Sequence, residues 1–238
     1  ASRRYASEGG EQLRAMLESL GVRRKRLGIE TATQGLTHSN GRKVHGALQD
    51  FCGLITFDGV IESLRAVKSP AELAAVRRAA ELADDAYDAA LALVGPGADE
   101  GAILAAMQGA VFRGGGDYPG NEFIIGSGAD ALLCRYKSGR RELDAQDQIT
   151  LEFAGAFHRY HSALMRTLCV GQATPRHQAL HAACQDALLA CEAELHPGRT
   201  AGDVFAAHAR VLDAAGLAEH RLNACGYSLG ARFTPSWM

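Results

Sequence analysis

Apolar positions in residues 11–20, "EQLRAMLESL", recur at helical spacing and predict a helix, which leads through "GVRRKR" into a short strand at "LGIE". "VHGALQDF" predicts another helical piece, and "GLITFDGVIESLRAVK" a strand followed by a connector. Residues 1–66 thus read as the end of an α/β domain. A sharp boundary follows at "SPAE", residues 69–72. Ser69 stands at an N-cap, Pro70 at the first helical position and Glu72 three residues after the cap, a capping box with a preset φ. The helix is expected to run to about Leu93 and to end at "GPG", and a second covers roughly 99–112 before "RGGGDYP" breaks it.

Between these helices and the next helical stretch lie "NEFIIGSG", "ALLCRYKSG" and "QITLEFAGAFHRYHSALMRTLCVG". Their β-branched and apolar content, punctuated by glycine, predicts strands and a hairpin with "GAFHR" at its tip. A faint repeat then matches "VGPGADEGAILAA" (94–106) to "LHPGRTAGDVFAA" (195–207). Each half carries a helix before Pro-Gly, a helix after it and strand-like sequence beyond, the second time at "RLNACGYSLG". An offset this long points to a duplicated domain half with its site between the two strand sets.

Composition narrows the function without choosing it. The chain is 47% hydrophobic and 22% charged with a net charge of −2, an ordinary globular balance. "RRKR" at 23–26 is the only basic tract, which argues against nucleic acid as a partner. No apolar run reaches the length of a membrane span. Six cysteines without a CxxC pair fit reduced thiols in a cytoplasmic protein, with Cys134 and Cys225 read as small filler. The chain begins with Ala and stops at "FTPSWM", so truncation is expected, with sheet edges left unpaired.

The chemistry concentrates in "LEFAGAFHRYHSALMRT", residues 151–167. Together with "KSPAELAAVRRAAELAD", "GSGADALL" and "GYSLG", this stretch resembles the pita-bread superfamily of creatinase, prolidase and methionine aminopeptidase. The resemblance implies an α+β fold: a duplicated pita-bread domain over 67–238, its C-terminal part missing, preceded at 1–66 by the tail of an α/β creatinase-type N-terminal domain. It also implies a homodimer. Metal-dependent members open the hairpin strand with one aspartate, place a second eleven residues later before x-T-R-T, and carry a histidine in a G-H-G-I-G-like strand. Anchored on Arg166-Thr167, those positions hold Glu152, Ala163 and Tyr227. Alanine has no donor atom and a neutral phenol is a poor ligand for hard divalent ions. No metal and no cofactor is therefore expected.

Within that superfamily the segments "GGDYP", "EFAGAFHRYHSALMRT" and "CGYSLGARFTPSW" most resemble the ectoine hydrolase group, in which a glutamate at the position of Glu152 is implicated as nucleophile. "LLCRYKSGRR" departs from that group's histidine and leaves the substrate open. A protonated cyclic amidine has an electrophilic carbon without a Lewis acid, so one carboxylate can pair with it and attack, or activate water as general base. Peptide amides lack that activation, which is why peptidases of this fold keep two metals. The expected substrate is a small molecule. Candidate binding residues are Tyr118, Arg135, His161, Arg166 and Tyr227. Each has a structural alternative: a turn beside Asp117 for Tyr118, a solvated loop for Arg135, a fold marker for His161, a buried ion pair holding the hairpin for Arg166, and a packed aromatic for Tyr227. His158 is expected at the hairpin tip, facing solvent. The alternatives to amidine hydrolysis are a metal-dependent Xaa-Pro peptidase, a creatinase-like amidinohydrolase, and a non-catalytic binding domain.

Overall fold

The computed structural model describes residues 2–33, 35–132, 141–233 and 236. The chain divides into two compact units, Ala1–Val67 and Lys68–Met238. The first contains α1 (Ser2–Ser19), β1 (Arg26–Ile29), α2 (His38–Leu48), β2 (Gly53–Thr56) and α3 (Val60–Ala66). β1 and β2 pair in parallel, which needs a crossover, and α2 supplies it. Leu17, Leu48, Phe51 and Cys52 form the buried cluster that joins helices to strands. The segment expected to be a plain connector after β2 is helical. Gly59, at φ 80°, turns the chain, and the Glu30 carboxylate accepts from the Ile61 N–H in the first turn of α3 at 3.0 Å.

The second unit contains α4 (Pro70–Leu91), α5 (Glu100–Arg113), β3 (Ile124–Ser127), β4 (Asp147–Phe157), β5 (Tyr160–Val170), α6 (Pro175–Glu194) and α7 (Ala201–Ala214). The capping box at Ser69 is present: Ser69 Oγ accepts from Glu72 N–H at 3.3 Å, and the Glu72 carboxylate accepts from Ser69 N–H at 2.8 Å. α6 repeats the device with Thr174 and a histidine, His177, at the position usually held by Glu or Gln. Both Pro-Gly links turn through a left-handed glycine, Gly97 at φ 78° and Gly198 at φ 93°, and both following helices are capped, by Asp99 and Thr200. The sequence repeat is thus a repeated helix pair.

β3, β4 and β5 form an antiparallel sheet in that order. Ile149, Leu151 and Phe153 of β4 point to the side covered by α4 and α5, where they meet Ala83, Ala86, Ile103 and Met107 in one core. α4 approaches closely because its buried face is almost all alanine: Ala75, Ala79, Ala83, Ala86 and Ala90, with Leu82. At Gly155 the helix backbone touches the strand; a Cβ there would lie 1.9 Å from the Ala79 carbonyl oxygen and 2.6 Å from the Ala83 nitrogen.

The hairpin turns at His158 and Arg159, both with positive φ (48° and 67°), the two-residue geometry that matches strand twist. The strand expected over "RLNACGYSLG" reduces to one bridge. Tyr160 pairs with Ala231, His161 N–H donates to Gly230 C=O at 3.2 Å, and Arg232 N–H donates to Arg159 C=O at 2.9 Å. A strand needs a ladder along its length, and this segment meets β5 only at its first residues. "ALLCRYKSG" opens in a single 3₁₀ turn (Gly128–Leu132), and its remainder, with Cys134 and Arg135, lies outside the described residues. Among the described residues no helix is long and apolar enough to cross a membrane.

The helix–strand contact at Gly155 makes a direct prediction. Gly155→Ala in the full-length protein should cost about 2–3 kcal/mol, seen as a lower urea midpoint, because the inserted methyl meets backbone that has no rotamer to escape into. An unchanged midpoint would mean that α4 does not pack this closely.

Candidate active site

Side chains of paired strand residues share a face, so the register assigns every candidate on the sheet to a side. Glu152 pairs with Met165 on one flank and Ile124 on the other, and Ala154 pairs with Ala163. These residues lie on the face away from α4 and α5, because Leu151 and Phe153 on either side of Glu152 are buried in the helix-covered core. Glu152 is half-buried, Ile124 buried and Met165 52% exposed. Among the described residues the Glu152 carboxylate has no hydrogen bond or ion pair. A half-buried carboxylate between apolar neighbours is poised for a cation from outside.

His161 pairs with Ala156 and so shares the face of Glu152, four residues further along the sheet, or ~13 Å at the usual strand rise. It is fully buried, and its Nε2 accepts from the Gly120 N–H at 2.8 Å, which places the proton of the neutral ring on Nδ1. Its visible work is to hold the segment before β3 against the hairpin. Arg166 pairs with Leu151 and therefore belongs to the helix-covered side, opposite to Glu152. It is exposed rather than in a buried ion pair, and its guanidinium lies 5.9 Å from the Tyr87 ring centroid on α4.

Tyr118 is 75% exposed and packs edge-on against Phe112 of α5, with ring centroids 4.9 Å apart. Its neighbour Asp117 donates its N–H to Ala156 C=O at 2.8 Å, which ties this segment to the tip of the hairpin and not to Glu152. Tyr227 is half-exposed beside Ser228, whose hydroxyl accepts from Lys68 Nζ at 2.8 Å. Arg135 lies outside the described residues. His158 is exposed at the turn, as expected. Of the candidates with a described position on the sheet, only His161 shares a face with Glu152.

The most connected side chain near the hairpin tip, Arg159, was missed in the sequence. Its guanidinium donates to the carbonyls of Tyr118 and Arg232, its N–H donates to Asp117 Oδ2 at 2.9 Å, and it lies 4.9 Å from the Phe233 ring centroid. Nearby, Tyr160 Oη donates to Glu72 Oε1 at 3.0 Å. The hydrogen bonds from Ser69 N–H, the Ser69 hydroxyl and Tyr160 hold the Glu72 carboxyl below its usual range. At the other end of β4, burial pushes the Asp147 carboxyl up. The hydrogen bond and charge of Arg141, with the Asp144 and Gln148 N–H groups, more than reverse this and leave it below its usual range. Arg141 also donates to Ser127 Oγ at 2.7 Å, so this cluster fastens the loop before β4 to β3.

Two helix pairs, α4 with α5 and α6 with α7, and a hairpin sheet with its candidate carboxylate on the face away from α4 and α5 make up the pita-bread arrangement. The chain belongs to metallopeptidase family M24, whose model matches residues 74–236. It is 27% identical over 214 residues to the uncharacterized peptidase YqhT of Bacillus subtilis, covering 90% of this chain and 59% of that protein. To the Xaa-Pro dipeptidase of Pyrococcus furiosus it is 22% identical over 173 residues, 73% of this chain and 50% of the relative. Ectoine hydrolase of Halomonas elongata stands at a similar distance, 23% over 191 residues, 76% of this chain and 47% of that enzyme. The particular nearness to ectoine hydrolase expected from the sequence segments is therefore not singled out. The X-Pro aminopeptidase structure from Thermotoga maritima superposes with a TM-score of 0.85 at 18% identity, over 95% of this chain and 62% of that one. This chain spans about three-fifths of the length of YqhT and of the Thermotoga structure.

The family name implies a metal, and the residues on this face do not fit a two-metal centre. Glu152 is the one carboxylate on the paired β4–β5 positions of this face, Ala163 has only a methyl, and His161 Nε2 is already occupied by the Gly120 N–H. Among the described residues no three His, Cys, Asp or Glu side chains gather where they could hold one ion.

Burial lowers the pKa of His161 from 6.5, helped by the Arg159 charge and opposed by the nearby carbonyls of Arg159 and Gly230. The unfolded chain then takes up a proton near pH 6.5 that the folded chain refuses until lower pH. This contribution to stability is complete above pH 6.5 and is lost as pH falls toward the depressed value. His161→Gln, which keeps an acceptor for Gly120, should flatten the decline of the urea midpoint just below pH 6.5. A slope equal to wild type would assign that decline to other groups.

Proposed function

We propose that the full-length protein hydrolyses a C–N bond in a small cationic amidine, with Glu152 as nucleophile or general base and without a metal at this site. The observation that carries the reading is Glu152 itself: a half-buried carboxylate on the sheet face away from α4 and α5, flanked by Ile124 and Met165, with no cation of the described chain beside it. An amidinium supplies that missing cation and brings its own electrophilic carbon. Glu152 either adds to that carbon and is released by water, or draws a proton from water that adds directly. In both routes the amidinium and one water become an amide and an ammonium group, with the departing nitrogen keeping the proton. An ectoine-type ring is the specific substrate we favour, and creatine shares the same activation. Tyr227 and Arg135 remain candidates for holding the substrate, and a homodimer in a cytoplasmic setting remains part of the reading.

The second reading is a metal-dependent Xaa-Pro peptidase, favoured by relatives such as the Xaa-Pro dipeptidase of Pyrococcus furiosus. It requires that Glu152 be a ligand and that residues elsewhere replace the donor missing at Ala163. The two readings separate cleanly by proton NMR on the full-length protein. Ectoine, creatine and a Xaa-Pro dipeptide are followed with and without excess chelator. Ectoine or creatine loss unaffected by chelator is expected, and Glu152→Gln should slow it by about 10³-fold or more, the order that loss of an acid–base or nucleophilic group costs. Dipeptide cleavage abolished by chelator, with the amidines untouched, would replace this reading with the peptidase.

A further inference from the structure

Met165 is the residue directly across the sheet from Glu152. It stands in the stretch Leu164-Met165-Arg166-Thr167, the one sulfur-containing side chain of that run. Its side chain is 52% exposed on the same face as the carboxylate, whereas Ile124 on the other flank is only 5% exposed. The neighbouring pair, Ala154 and Ala163, ends at its methyl groups. Beside Glu152, then, one long apolar side chain reaches outward, and it is an unbranched thioether that adapts its shape to what it touches.

Such an arrangement treats two kinds of cation differently. A compact, strongly hydrated cation pairs with Glu152 alone and keeps its water on the Met165 side. A cation with an apolar body lays that body on the thioether, removes water from both, and strengthens the charge pair by lowering the local dielectric. A threonine in this place would be too short to cover the body and would hold water beside the carboxylate.

We infer that Met165 determines specificity, selecting amidinium substrates that carry an apolar ring or methyl group over bare ones, through direct contact across from Glu152. This rests on the amidine reading of the site. The test is calorimetric binding to the full-length protein of two probes, acetamidinium and the ring cation 2-methyl-tetrahydropyrimidinium, for wild type, Met165→Thr, Met165→Leu and Glu152→Gln. Met165→Thr should weaken the ring cation about ten-fold, the order expected for a few methylene-sized contacts, and leave acetamidinium unchanged. Met165→Leu should retain ring binding to within about three-fold because it keeps the apolar reach. With a turned-over ring substrate the threonine variant should raise KM at nearly constant kcat. Equal weakening of both probes, or no change for the ring, would overturn the assignment of Met165 while Glu152-dependent binding still stood. Binding of both probes that survives Glu152→Gln would instead overturn the amidine reading on which the assignment rests.

Discussion

The contact between Gly155 and the backbone of α4 at Ala79 and Ala83 governs what the rest of the unit can do. It fixes which side of β4 the helices cover, since odd-numbered residues of that strand must face α4 once Gly155 does. Leu151 and Phe153 follow into the core, and Glu152 is forced to the other side. The two-residue turn at His158 and Arg159 then sets the register of β5, which places Met165 across from Glu152 and sends Arg166 back toward Tyr87. A single close approach, made possible by alanines on one partner and a glycine on the other, therefore determines where the candidate chemistry stands.

Much of this was legible because it depends on short-range physics. Ser69, Pro70 and Glu72 specify a helix start whatever surrounds them, and the capping box formed as expected. The Pro-Gly repeat was visible because both turns need a left-handed residue at the same place, Gly97 and Gly198. The hairpin was legible from β-branched and apolar content, with its tip at His158 and Arg159. Less legible were features that depend on partners distant in sequence. α3 forms where a connector was expected because Gly59 and Glu30 start a helix that the local apolar pattern did not announce. Arg159 has no motif around it; its importance comes from Tyr118, Asp117 and Arg232 converging on it after folding.

The candidate site divides along the same line. Glu152 was identified by its place in a spaced pattern, and spacing survives into register. Arg166 was grouped with it because the two share a sequence segment, yet a strand pair separates neighbours by face, and pairing with Leu151 puts Arg166 on the helix side. Tyr118 follows a run of glycines that permits close approach, but the hydrogen bond from Asp117 to Ala156 takes it to the hairpin tip. His161 shares the right face and is nevertheless committed, since its acceptor nitrogen holds Gly120.

What is left at the centre is a problem of charge. A carboxylate held partly out of water is a favourable place for a positive charge, whether from a metal or from a cationic ligand. The position expected from the resemblance to hold a second carboxylate, eleven residues on, is Ala163, so Glu152 has no such companion on its strand pair. On the reading proposed above, a cationic substrate would supply that charge while bound beside Ile124 and Met165, with its reactive carbon next to the carboxylate oxygen. Alanine at 163 and the carboxylate at 152 would then, on the same reading, be two halves of one electrostatic arrangement, with the positive charge brought by the substrate and not by the described residues around Glu152.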